Sequence, residues 1–147
     1  MNTQQAYEKM RSYFAQQGAV LAKAPSQTTV DGALCMYRTP EGNKCAVGCL
    51  IPDDLYSSAL ERMGIVQWQE LLAGATADRE FFRSEVSTVA ATASVLGFLH
   101  DVDKEFLGRA QKLHDSLASD VKSFVIMLDL LAEASGLRPI VRQGEYF

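Results

Sequence analysis

The chain has 147 residues, 48% hydrophobic and 22% charged, with a formal net charge of −4 at pH 7. This length and composition fit one globular domain whose core needs neither disulfides nor a metal to form. The acidic balance gives no long-range attraction to nucleic acid or to anionic lipid. We therefore predict a single domain over residues 1–147, with 137–147 as a tail that is either loose or adds a short strand.

Compartment and redox state follow from what the sequence lacks. No apolar run approaches the roughly 18 residues that a membrane span needs. The first residues, Met1 to Gln5, lack the basic segment and apolar core of a secretion signal. The three cysteines are odd in number and the chain is not cysteine-dense, which favours reduced thiols over a disulfide framework. We expect a cytoplasmic protein.

The predicted elements begin with a helix from Thr3 to Gln17, capped by Thr3 and ended by Gly18. After the segment Leu34–Tyr56, which is treated below, the chain reads as helical. Predicted helices cover residues 53–64, 65–73, a short stretch after 78, 85–100, 103–118 and 120–136. The last of them is apolar nearly all round, which predicts a central, buried position.

The segment Leu34–Tyr56 holds all three cysteines and reads as two strands joined by a turn at Pro40–Asn43. If Arg38 pairs with Lys44, alternation along each strand determines which side chains share a face. That face would carry Cys35, Tyr37, Cys45, Val47 and Cys49. The predicted fold class is α+β, with one antiparallel β-hairpin, and with or without a third short strand from residues 139–141, packed against five to seven helices.

A zinc site is one interpretation of this face, and strand geometry argues against it. Four residues at about 3.3 Å each place Cys45 and Cys49 about 13 Å apart on an extended strand, too far to share one ion. The sequence also has no glycine-rich phosphate loop or other cofactor motif. We therefore predict no metal and no cofactor.

A catalytic thiol is the second interpretation, with Cys45 or Cys49 as nucleophile and His114 as base. Asp115 follows His114 directly. Neighbouring residues of an α-helix point about 100° apart, so Asp115 is predicted to orient His114 poorly. The third interpretation makes the cysteines small hydrophobic residues of an ordinary core face.

Three further residues of this segment are candidates for binding: Tyr37, Arg38 and Asp53. Arg38 is positioned to form an ion pair with Asp53 or Asp54 where the chain leaves the hairpin. Such surface pairs are common and weak.

The residues Cys35-Met36-Tyr37-Arg38 and the run from Gly42 through Lys44-Cys45-Ala46 and Leu50-Ile51-Pro52-Asp53 to Tyr56 carry one resemblance. They resemble a group of small uncharacterised proteins found in tailed bacteriophages, prophages and some bacteria. A later His-Asp element of that group is similar to His114-Asp115. The resemblance implies a phage accessory protein that modifies the host, and it implies Tyr37, Arg38, Cys45, His114 and Asp115 as site residues.

The leading functional expectation is accordingly a small cytoplasmic accessory protein that binds a host or phage protein, with no nucleic-acid or membrane partner. A thiol-dependent hydrolase or transferase, using Cys45 or Cys49 with His114, is the alternative. A protein that sequesters a small ligand in a cleft between hairpin and helices is the second alternative.

Overall fold

The computed structural model describes residues 1–16, 18–21, 23–29, 32–35, 37–62 and 86–140, with the backbone alone described over 23–29, 32–35, 62 and 86–89. Four α-helices form most of the described fold. They are α1 (Thr3–Phe14), α2 (Val86–Phe98), α3 (Lys104–Lys112) and α4 (Val121–Ala134). Short 3-10 helices cover Gly48–Leu50 and Ser58–Arg62, and one π-helical turn, Leu113–Leu117, continues α3.

Three of the helices begin at side chains that cap their free amides. Asn2, rather than the predicted Thr3, caps α1, and its Oδ1 accepts from the amide of Gln5 at 2.8 Å. Asp103 caps α3, and Asp120 caps α4 by accepting from the Ser123 amide at 2.8 Å. A side-chain acceptor at this position satisfies amides that have no partner inside the helix. The predicted starts near 103 and 120 are confirmed.

The core forms where α1 and α4 pack together beneath the loop of residues 37–51. Phe14 of α1 and Phe124 of α4 are fully buried, with ring centroids 4.6 Å apart. Burying an aromatic side chain removes a large apolar area from water, so this pair stabilises the contact between α1 and α4. Other fully buried side chains are Tyr7, Met10, Val47, Leu50, Ile51, Leu60, Leu107 and Leu128.

A buried ion pair joins the same two helices. Arg11 Nε lies 3.1 Å from Asp129 Oδ1, and their side chains are 3% and 8% exposed. The Tyr7 hydroxyl donates to the same carboxylate oxygen at 2.6 Å and accepts from the Ile140 amide at 2.7 Å. One carboxylate therefore ties α1 and α4 together, and Tyr7 adds the segment that follows α4.

The predicted hairpin is not formed, and the α+β class is wrong. The turn is present, because Thr39 and Asn43 bond to each other and Arg38 pairs with Lys44, but that pair is an isolated bridge. After Cys45 the chain turns into the 3-10 helix instead of extending. A short antiparallel pairing lies earlier, between β1 (Lys23–Thr29) and β2 (Gly32–Cys35). Where the structure describes side chains, the buried core is formed by the helices and by the loop of residues 37–51.

The helix predicted over 53–64 is also wrong. Residues 53–55 form a turn in which the amides of Leu55 and Tyr56 both bond to the Pro52 carbonyl. The only helical stretch that follows within the described residues up to 62 is the 3-10 helix Ser58–Arg62. Asp53 therefore caps no helix, and its side chain is 86% exposed.

Two further predictions meet different outcomes. The helices predicted over 65–73 and after 78 lie outside the described residues. The prediction over 85–100 is confirmed by α2, Val86–Phe98. Among the described helices, none combines the length and apolar character that crossing a membrane requires.

Candidate functional site

We call residues Cys35–Arg38 and the run from Gly42 to Tyr56 the phage-like motif. Several of these residues bind one another. The Arg38 guanidinium donates to the Ile51 carbonyl at 2.8 Å, pairs with Asp53 at 2.8 Å, and lies 4.5 Å from the centroid of the Tyr56 ring. The predicted Arg38–Asp53 pair is thus confirmed. Arg38 Nε is buried with no hydrogen-bond partner among the described residues. Through these contacts Arg38 holds the end of the loop 37–56 against its beginning.

Glu61 closes this loop from its far end. Its two carboxylate oxygens accept from the consecutive amides of Tyr37 and Arg38 at 2.7 and 3.0 Å. The Tyr56 hydroxyl donates to the same carboxylate at 2.6 Å. Charge-assisted bonds of this kind are the stronger class of hydrogen bond. Apart from the isolated Arg38–Lys44 bridge, the segment is therefore held as a loop, and Glu61 satisfies the amides that a partner strand would have satisfied.

Cys45 and Cys49 lie one turn apart where the chain coils into the 3-10 helix Gly48–Leu50, not at two points of an extended strand. The Cys49 amide donates to the Cys45 carbonyl at 2.9 Å, so the extended geometry used against a shared zinc ion was wrong. Both thiols are buried. Within the described part of the chain, no three His, Cys, Asp or Glu side chains cluster so as to hold a metal ion.

The environment of both thiols favours their neutral form. Desolvation by burial raises the pKa of Cys45 well above its ordinary value, and the nearby Asp115 charge raises it further. The Gly48 amide, which donates to Cys45 Sγ at 3.3 Å, opposes this only partly. Burial likewise raises the pKa of Cys49 to about 12. A nucleophilic cysteine needs the opposite shift.

Gln111 connects this turn to α3. Its side-chain oxygen accepts from the Val47 amide at 3.0 Å, and its amide nitrogen donates to Asp115 Oδ1 at 2.6 Å. The pair Gln111–Asp115 has the i,i+4 spacing that lets such side chains meet on a helix. Neither Gln111 nor Glu61 was among the predicted site residues. The i,i+4 spacing was a usable signal for Gln111, whereas nothing local indicates that Glu61 binds residues 23 and 24 positions away.

His114 is fully buried and faces the core. Its ring packs beside the Phe14–Phe124 pair, with each of the two ring centroids 5.9 Å away. Its Nδ1 is 2.9 Å from Asp115 Oδ1, so the prediction that Asp115 is badly placed to contact His114 is wrong. That prediction assumed an α-helix, and the π-helical turn changes the angle between successive side chains. The structure thus gathers Cys45, Gln111, His114 and Asp115 in the interior, with Asp115 partly exposed.

The described surface also carries an apolar groove of about 570 Å³, which we call the leucine groove. It lies between α4 and the π-helical turn with the end of α3. Its apolar lining consists of Leu113, Leu117, Met127, Leu130 and Leu131, and its remaining lining residues are Arg109 and Lys112.

Two leucines of this groove face water to an unusual degree. Leu117 is 55% exposed and Leu130 is 61% exposed. The prediction that the last helix is buried all round is therefore wrong on this side. An all-round apolar helix presents more apolar surface than one core covers, and contiguous exposed apolar surface marks interaction sites. That excess was the available sequence signal for the groove.

Comparison with known proteins identifies no relative. No protein-family model matches the chain, and no curated protein or solved structure matches it significantly. The resemblance to the phage group thus rests on its motif alone. The structure gives six motif residues a role inside the loop, namely Tyr37, Arg38, Gly48, Ile51, Asp53 and Tyr56.

Proposed function

We propose that this protein is a binding protein that recognises another protein through the leucine groove. The observation that carries the proposal is the exposure of Leu117 and Leu130 beside Met127 in one groove. When a partner removes exposed leucines of an apolar surface from water, their burial contributes favourably to the free energy of binding. The phage-like motif adds a context, that of an accessory protein acting on a host or phage partner.

The solvent exposure of the leucine groove favours a protein partner over a sequestered small molecule. Sites for small ligands bury about 70–90% of the ligand surface. A groove in which Leu117 and Leu130 are more than half exposed encloses a small molecule poorly, whereas a protein partner supplies its own covering surface. The cleft expected between hairpin and helices presupposed a hairpin that does not form over the described residues 37–50.

The thiol-dependent enzyme is not favoured by the observed geometry. Cys45 and Cys49 are 1% and 5% exposed, and burial raises the pKa of each thiol. A substrate carbonyl has no path to either sulfur in the described structure, and the thiolate needed for attack is disfavoured at neutral pH.

A photo-crosslinking amino acid at position 130 tests the proposal in cells that express the protein. We expect a discrete adduct with one other protein, and we expect an excess of the native chain, but not of a Leu117→Asp/Leu130→Asp variant, to compete it away. Val20, which is 45% exposed and does not line the groove, is the matched control position. Equal adducts from positions 20 and 130, or none from 130, would refute the proposal.

A further inference from the structure

The rim of the leucine groove carries positive charge on a chain that is acidic overall. Arg109 and Lys112 are its polar lining residues, and no carboxylate lines it within the described chain. They are three positions apart on α3, so they lie on one face of that helix. The chain as a whole has a formal net charge of −4. The charge at the rim of the groove is therefore opposite in sign to the net charge of the chain.

Both cations are exposed to solvent and within reach of a partner. Arg109 pairs with Glu105 at 2.5 Å, but these side chains are 61% and 69% exposed. Exposed i,i+4 pairs contribute little to stability, so a partner's carboxylate can replace Glu105 at little cost. Lys112 is exposed and forms no ion pair with any described residue.

The walls of the groove have helical spacing. Leu113 and Leu117 are four apart on one wall, and Leu130 and Met127 are three apart on the other. A groove between two packed helical segments accepts the apolar ridge of a third helix. The apolar side chains of that ridge recur at positions i, i+3 or i+4, and i+7. A pair of carboxylates three or four positions apart on that helix would face Arg109 and Lys112.

We propose that the segment bound in the leucine groove is an amphipathic helix with an apolar ridge and a row of carboxylates along the edge that faces α3. This rests on the proposed function and names the chemistry of its partner. A second copy of this chain, docked groove to groove, fits less well, because the described lining of the groove supplies no carboxylate to face Arg109 and Lys112 of the other copy. An anionic membrane fits less well, because the chain is acidic and the apolar surface is concave.

Fluorescence anisotropy with two labelled helical peptides tests this inference. Both carry leucines at i, i+3, i+4 and i+7, and they differ only in having Glu or Lys along one edge. We expect the Glu peptide to bind at least about tenfold more tightly at low salt, with the difference shrinking as salt is added. Arg109→Glu/Lys112→Glu should invert the preference, and Leu130→Asp should abolish binding of both peptides.

Several results would overturn the inference. They are equal affinity for the two peptides, preference of the native protein for the Lys peptide, or binding that Leu130→Asp leaves unchanged. Leu130-dependent binding to anionic vesicles, or a dimer that Leu130→Asp dissociates, would assign the groove to a membrane or to a second copy instead. If the peptides fail while the adduct at position 130 persists, the partner chemistry is wrong and protein binding stands. If both fail, so does the proposed function.

Discussion

Gly48 lies against the backbone of Tyr37 so closely that a Cβ on Gly48 would be 2.1 Å from the Tyr37 carbonyl oxygen. The same oxygen accepts from the Cys45 amide at 3.3 Å. Two stretches of the loop thus meet backbone to backbone, and a side chain at 48 would separate them. Backbone packing therefore explains why residue 48 of the phage-like motif is a glycine, without any ligand.

Gly48→Ala should therefore destabilise the fold. Overpacking of this kind costs about 1–3 kcal/mol or more, and here the obstacle is backbone, which moves less readily than a flexible side chain. Gly97→Ala is the matched control, since no described atom lies within 4 Å of its added Cβ and it sits in α2. That change should stabilise by up to about 1 kcal/mol through helix propensity. Urea unfolding of both variants measures the contrast, and equal midpoints would contradict it.

Asp129→Ala should be among the most destabilising substitutions in the helices. Removing one partner of a buried ion pair costs about 3–5 kcal/mol, because Arg11 loses the carboxylate that compensates its burial. Glu105→Ala breaks an exposed pair and should cost less than about 1 kcal/mol. Thermal and urea unfolding distinguish the two variants. A loss at Asp129 no larger than at Glu105 would show that the buried pair does not hold α1 to α4.

Native thiols should react slowly. In a Cys35→Ser background, iodoacetamide at pH 7 should label Cys45 and Cys49 far more slowly than free cysteine, because both sulfurs are buried with raised pKa values. Labelling should become fast once urea unfolds the chain. Mass spectrometry after timed quenching measures both rates. Rapid native labelling that His114→Ala slows would restore the catalytic-thiol interpretation.

Stability should fall at alkaline pH. Burial raises the pKa of Cys49 from 9.0 to about 12 and that of Tyr7 from 10.0 to about 12. The unfolded chain loses these protons first, so stability is full below pH 9 and is lost as the pH rises towards 12. Urea midpoints across this range measure the loss. Tyr7→Phe combined with Cys49→Ala, itself less stable at pH 7, should show a shallower decline, and an identical slope would contradict the assignment.

The sequence by itself determined the local elements whose signals lie within a few residues. Caps at Asp103 and Asp120, apolar periodicity, and Gly136 as a helix end predicted α2, α3 and α4 closely, because capping and periodicity act within one or two turns. The same local reading failed at residues 34–51. Short apolar runs there fit a strand as well as a buried turn.

Only the tertiary structure decided which of those alternatives formed. Glu61 satisfies the amides of Tyr37 and Arg38, and Gln111 satisfies the amide of Val47, so the loop needs no partner strand. These partners are distant in sequence, and a single chain gives no local sign of them. The groove likewise arises because α4 buries one face against α1 and leaves Leu130 in water. Periodicity predicts an apolar side chain, but only the packing of neighbouring elements determines whether it is covered.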